Sequence, residues 1–229
     1  MGIDNTAVLI DFERTLTNHN LLMDLFTIKP LMATKALLEG LRHLSTEIIR
    51  KKSLKNVRFS LTLGIKKSYY SNLTDEQKRT LGSRIYQIDR RYGVEDLLRN
   101  LNKDGWDYTI VTSSDKKIAE GFLNDFVPSK NIIGTNGDYI VWNSQKEELA
   151  KQKKKEKKNL ICIVDCEIDA GMCRYADVSF KVSSLLSLLF GGYKVYGHNV
   201  KGLYEVNSFF NFLHYTNKDS PLNGLNPCF

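Results

Sequence analysis

The feature that most restricts how this 229-residue chain can fold is the run Ala7-Val8-Leu9-Ile10-Asp11-Phe12-Glu13, in which an unbroken apolar stretch ends in two carboxylates two residues apart. Strands buried on both faces of a parallel sheet read as continuous apolar runs rather than as an alternation. Asn5-Thr6 before the run and Arg14-Thr15 after it mark its limits as a strand. Ligands of open α/β sheets bind beyond the carboxyl ends of strands, which would set Asp11 in a substrate crevice. Taken alone, the string is equally compatible with an ordinary strand end whose acids face water.

Two later segments repeat the pattern. Asn159-Leu160-Ile161-Cys162-Ile163-Val164-Asp165 is a second buried-strand run crowned by an acid, with Asp169 four residues further on. Between the two lies Asp107-Tyr108-Thr109-Ile110-Val111-Thr112-Ser113-Ser114-Asp115, an apolar strand ending in hydroxyls and followed by a helical pattern from Lys116 to Phe126. Hydroxyls and the free amides that open a helix suit phosphate.

An Asp at one strand end, Thr and Ser at the next, a lysine-bearing helix and then Asp-x-x-x-Asp, in that order, resemble the haloacid dehalogenase superfamily of aspartyl phosphatases. The likeness runs from residue 6 to about 182. It implies an α/β fold, with a Rossmann-like parallel sheet core and an inserted α-helical cap. It also makes Asp11 the nucleophile that forms an aspartyl-phosphate, a form of carboxylate covalent catalysis, and gives Thr112 and Ser113 the phosphate. The family lysine lies some 20 residues before the last acid motif, and Lys146 stands 19 before Asp165. The crowded lysines from Lys151 to Lys158 read instead as a solvated helix face or a loop.

By the same resemblance Asp165 and Asp169 complete a Mg²⁺ site. Mg²⁺ keeps octahedral geometry and takes one or two carboxylates plus waters and phosphate oxygens. Asp11, Asp165 and the backbone carbonyl of Glu13 fit that demand, while Asp169 would orient a metal-bound water or the lysine. Three clustered carboxylates repel one another unless a divalent cation and a lysine are present.

Two positions depart from the family pattern. Glu13 stands where the phosphatases carry a second Asp as general acid and base. Its extra methylene displaces the carboxyl, and general acid help is worth about 10² to 10⁴ in rate, so the change slows the reaction without abolishing it. Val164 stands where the family often has Gly, and Cys166 and Glu167 replace small polar residues at the same turn.

The long interval between Asp11 and Thr112 exceeds a simple crossover. It is rich in helical spacing: Leu21, Leu22, Leu25 and Phe26, then Leu31, Met32, Ala36, Leu37, Leu38, Leu41 and Leu44. Thr74-Asp75-Glu76-Gln77 carries a capping signature for a further helix. The expected division is a core of residues 1–16 and 93–229 with a cap of 17–92. The cap holds a net charge of +9 against −2 for the rest, a separation that would steer an anionic substrate toward the cleft. Arg50, Lys51, Lys52, Lys55, Arg58, Lys66 and Lys67 contribute most, although a basic solvated surface has the same composition.

The start Met1-Gly2-Ile3-Asp4-Asn5 lacks the features of a signal peptide, and the apolar stretch Leu185 to Phe190 is far short of a membrane span. The expectation is a cytoplasmic protein. Cys162, Cys166, Cys173 and Cys228 form no C-x-x-C pair and read as reduced thiols, and His19, His43, His198 and His214 suggest no triad. Nucleic-acid binding is disfavoured, since the basic segments lack interleaved aromatics. Residues 193–229 show no assignable pattern, though Phe209, Phe210, Phe212 and Leu213 could pack on the core or on a partner.

The sequence therefore points to a Mg²⁺-dependent phosphomonoester hydrolase acting on a small phosphorylated metabolite. In phosphoserine phosphatases, the branch this chain resembles in its helical cap and length, an acidic residue early in the cap helps hold the substrate's amino group. Thr17-Asn18-His19-Asn20 has none, which lowers phosphoserine as a candidate. The rival is a catalytically impaired phosphate-binding or scaffold protein that keeps the fold.

Overall fold

The computed structural model describes residues 3–18, 21–51, 69–124, 126–137, 139–165, 169–182 and 197–216. Among these residues six strands form one sheet in the order β3-β2-β1-β4-β5-β6. They are β1 (Thr6–Asp11), β2 (Asp107–Asp115), β3 (Ile132–Thr135), β4 (Asn159–Val164), β5 (Val178–Val182) and β6 (His198–Val200), and every neighbouring pair is parallel. Eight α-helices accompany them: α1 (Leu21–Ile28), α2 (Pro30–Lys51), α3 (Asp75–Asp89), α4 (Val94–Lys103), α5 (Lys116–Leu123), α6 (Asn143–Glu156), α7 (Ala170–Cys173) and α8 (Leu203–Thr216). The three runs read as buried strands are β1, β2 and β4, and β1 and β4 are buried at every position.

Alternation along the central strands divides the core in two. Val8, Ile10 and Phe12 face a large cluster that takes in Leu81 and Ile85 of α3, Leu97 and Leu101 of α4, Ile118 and Phe122 of α5, and Phe210 of α8. Ala7 and Leu9 face a smaller cluster with Val111, Cys162 and Val164, closed by Ala150 of α6 and Met172 of α7. Asp11 continues the phase of Ala7 and Leu9, so it belongs to the face that α6 covers. No described helix is long and apolar enough to cross a membrane.

Among the described residues helices α1, α2, α3 and α4 lie between β1 and β2, the first three of them before Arg90. Thr74 accepts from the Gln77 amide at 3.2 Å while the Gln77 side chain accepts from the Thr74 amide at 2.9 Å, so the anticipated capping box opens α3. The basic segment from Lys52 to Lys67 lies outside the described residues. The two ends of the insertion meet at a narrow neck. Thr17 bridges Arg90 in antiparallel fashion, the Asn18 amide donates to the Asp89 carbonyl at 3.0 Å, and the Arg91 amide donates to the Leu16 carbonyl at 2.9 Å.

Helix α3 packs backbone to backbone on α5. A Cβ at Gly82 would lie 2.1 Å from the Ile118 carbonyl oxygen, and one at Gly121 would lie 2.0 Å from that of Arg79. Arg79 and Lys117 both pair with Glu120 at this contact, at 3.2 and 3.0 Å.

Residues 198–216, which show no pattern in the sequence, form β6 and α8. Phe210 packs edge-on against Trp106 with ring centroids 5.0 Å apart, and Phe209 meets Phe180 at 4.9 Å. This part of the tail thus covers the core, while Phe212 stays exposed.

Candidate active site

Strand register brings the three motifs together. Ile10 of β1 pairs with Ile110 of β2 on one side and with Ile163 of β4 on the other. One or two residues further along each strand stand Asp11, Thr112 and Asp165. All three occupy the carboxyl edge of the sheet centre, where open α/β sheets bind ligands.

Lys146 joins them from α6. It and Ala150 are the buried residues of that helix, one turn apart, so both point at the sheet face on which Asp11 lies. The Lys146 Nζ donates to Asp11 Oδ1 and to Asp169 Oδ1, each at 2.5 Å. The Thr15 hydroxyl donates to the other Asp11 oxygen at 3.2 Å. One carboxylate oxygen from each of Asp11, Asp165 and Asp169 lies within 4.8 Å of the other two. This all-oxygen set suits a hard divalent cation.

The electrostatics follow from the crowding. Burial pushes the Asp11 carboxyl well above the usual range, and Asp169 and Asp165 add to the rise against the opposing pull of Lys146. Burial alone would lower the Lys146 ammonium, but the two carboxylates beside it outweigh that effect and hold its proton more firmly than in water. Lysine is thereby fixed as a cation, whereas Asp11 needs further positive charge to be fully ionised.

The loop after β1 is closed by arginines. Arg14 sits at φ 62°, in the left-handed region, and its Nε lies 3.1 Å from Asp165 Oδ2. Its amide donates to Thr17 Oγ1 at 2.9 Å, and its carbonyl accepts from Arg91 Nη2 at 2.5 Å. Glu13 accepts a hydrogen bond from the Ser114 hydroxyl, which ties the β1 loop to the end of β2. Glu13 is not a member of the close acid trio.

Thr112 is fully buried, and its Oγ1 accepts from the Ser114 amide at 3.0 Å. The Ser113 carbonyl accepts from the Thr135 hydroxyl at 2.7 Å. A register shift between Thr112 and Asp115 loosens this edge of β2 from β3, freeing the hydroxyl segment from strict pairing. Cys166 and Glu167 lie outside the described residues, as do His19 and Asn20.

Several site residues were not evident from the sequence. Ser114, Arg14 and Arg91 are three of them. A fourth group is the buried pair of Asp24 in α1 and Asp89 at the end of α3. Burial, then Asp89, then Glu13 push the Asp24 carboxyl up to about 8. Tyr70 lies in the same region, its hydroxyl raised by burial, then by Glu13 and Asp115. The signal available for Arg14 was its place directly after two strand-end acids; nothing local marks Asp24.

No protein-family model and no curated protein sequence matches the chain. Solved structures do. One is the DsGPDH of Dunaliella salina, 15% identical at a TM-score of 0.59 over 87% of this chain, which spans only 35% of that protein. A phosphoserine phosphohydrolase-like protein from Francisella tularensis is 16% identical with a TM-score of 0.56, covering 89% of this chain and 99% of that one. A phosphoserine phosphatase solved as a phospho-aspartyl intermediate analogue is 15% identical with a TM-score of 0.56, covering 89% and 97%. At such identities the likeness is one of fold: the chain has the haloacid dehalogenase-like fold of the phosphoserine phosphatases.

Proposed function

We propose that this chain is a Mg²⁺-dependent phosphomonoester hydrolase that works through an aspartyl-phosphate on Asp11. The observation that carries the reading is the Lys146 ammonium held 2.5 Å from both Asp11 and Asp169, with Asp165 beside them, at the carboxyl edge of a parallel sheet. Asp11, Asp165 and the Glu13 carbonyl are the groups that would hold Mg²⁺, which would supply the positive charge that ionises Asp11 and offsets charge on the phosphoryl oxygens.

An Asp11 carboxylate oxygen attacks phosphorus, so that an O–P bond to the protein forms as the ester P–O bond breaks. Glu13, held by the Ser114 hydroxyl, gives its proton to the departing oxygen. It then takes a proton from a water that attacks the aspartyl-phosphate, and inorganic phosphate leaves with Asp11 restored. Lys146 balances charge on the nucleophile and on phosphate throughout. Thr112 and Ser113, on the loosened edge of β2, supply hydroxyls and amides to phosphate. The substrate class is a small anionic phosphorylated metabolite.

Hydrolysis of p-nitrophenyl phosphate with Mg²⁺ tests the proposal. The wild-type chain turns over, EDTA stops it, and Asp11→Asn is inactive. Absence of turnover by the wild type across a broad panel of phosphorylated metabolites would overturn the reading in favour of a phosphate-binding protein.

A further inference from the structure

We propose that Arg14 is a resident counter-ion on Asp165 that Mg²⁺ must displace, so that this guanidinium sets the free Mg²⁺ concentration at which the site loads. The inference rests on the reading of Asp165 as a Mg²⁺ ligand.

The division of charge at the site motivates it. Asp11, Asp165 and Asp169 are all buried, and a buried carboxylate without a cation is costly. Lys146 serves Asp11 and Asp169, and Arg14 serves Asp165 at 3.1 Å. These two contacting side chains together carry the same charge as one divalent ion, and Arg91, which holds the Arg14 carbonyl, adds its own electrostatic attraction to Asp165. A site composed in this way is electrically near balance before any metal enters, which removes much of the attraction that would draw Mg²⁺ in.

The backbone conformation at position 14 does not call for an arginine. Arg14 is the one non-glycine residue at positive φ among the described residues, in a region where glycine is at ease and a long side chain is not. Its amide and carbonyl are nonetheless fixed by Thr17 and Arg91. A glycine would make this turn with less strain but would leave Asp165 without its guanidinium. The geometry thus holds a planar, permanently charged group over a proposed metal ligand.

Calorimetric titration of the full chain with MgCl₂ tests this without reference to turnover. Arg14→Gly binds Mg²⁺ about tenfold or more tightly than wild type, equivalent to about 1.4 kcal/mol or more, and Arg14→Gln shifts the same way. A merely structural role for Arg14 would leave metal affinity unchanged or weaken it. Thermal unfolding supplies the second readout: in EDTA Arg14→Gln melts below wild type, and saturating Mg²⁺ closes the gap. Equal or weaker Mg²⁺ binding by both variants, with wild type still binding, overturns the Arg14 proposal and leaves the phosphatase reading standing. Absence of Mg²⁺ binding by wild type and variants alike overturns both.

Discussion

Replacing Lys146 with methionine keeps the aliphatic bulk of a buried side chain and deletes the one ammonium that bridges Asp11 and Asp169. Removing one partner of a buried ion pair leaves an uncompensated charge and costs about 3–5 kcal/mol. For a protein of this length each kcal/mol lowers the melting temperature by about 2–4 °C, so Lys146→Met is expected to melt roughly 6–20 °C below wild type in metal-free buffer near pH 8. The deficit depends on pH with a definite sign. Without Lys146 the Asp11 carboxyl rises further above its unfolded value, and the folded state then binds more protons than the unfolded state. Stability contributed at low pH is therefore lost as pH rises from about 4 through the raised pKa. Calorimetric melts from pH 5 to pH 9 measure this, with urea titrations at fixed pH giving the free-energy difference. A penalty under about 1 kcal/mol at pH 8, or one that shrinks as pH rises, would refute the placement of Lys146 between two buried carboxylates.

Two further perturbations probe other parts of the molecule. Gly82→Ala gains up to about 1 kcal/mol of helix propensity, yet its Cβ would meet the Ile118 carbonyl oxygen at 2.1 Å, a backbone atom that cannot step aside alone. The expected net effect is a loss of about 1–3 kcal/mol, read as a lower urea midpoint, and a net gain would show that α3 and α5 do not approach so closely. Burial, and then Asp89 beside it, push the Asp24 carboxyl from its ordinary 3.8 up to about 8, so its contribution to stability falls as pH climbs between those values. Asp24→Asn should flatten the wild-type decline in melting temperature between pH 4 and pH 8, and an unchanged slope would remove Asp24 as its source.

What the sequence discloses follows from how local each cause is. β1, β2 and β4 are legible because each carries an unbroken apolar stretch that a strand buried on both faces requires, and α3 because Thr74 and Gln77 cap it within four residues. The order of acids and hydroxyls at those strand ends reveals the candidate nucleophile and the lysine helix. The rest depends on contacts between distant residues. Asp24 and Asp89 are unremarkable acids until α1 and the end of α3 bring them together out of water. Ser114 rather than its neighbour Ser113 meets Glu13, at a point where the register of β2 against β3 shifts, and neither is visible in the local sequence. Gly82 and Gly121 lie on different helices, and neither sequence context shows that the two backbones touch. Helix α8 escapes notice because its aromatics face both Trp106 and solvent, which blurs a single apolar stripe.

The pinned neck at Thr17 and Arg90 separates two design problems. Because the insertion leaves and rejoins at one point, its length can change without sliding β1 against β2, and the entropy of closing a longer excursion grows only slowly with length. Within the insertion Ala33, Ala36, Tyr69 and Tyr70 pack into the same core cluster as Val8 and Ile10, and α3 is anchored by its glycine contact with α5, so changes of length are best accommodated away from these contacts. Under the proposed phosphatase function, such an arrangement would let selectivity for the alcohol half of an ester diverge while the carboxyl edge of the sheet stays fixed.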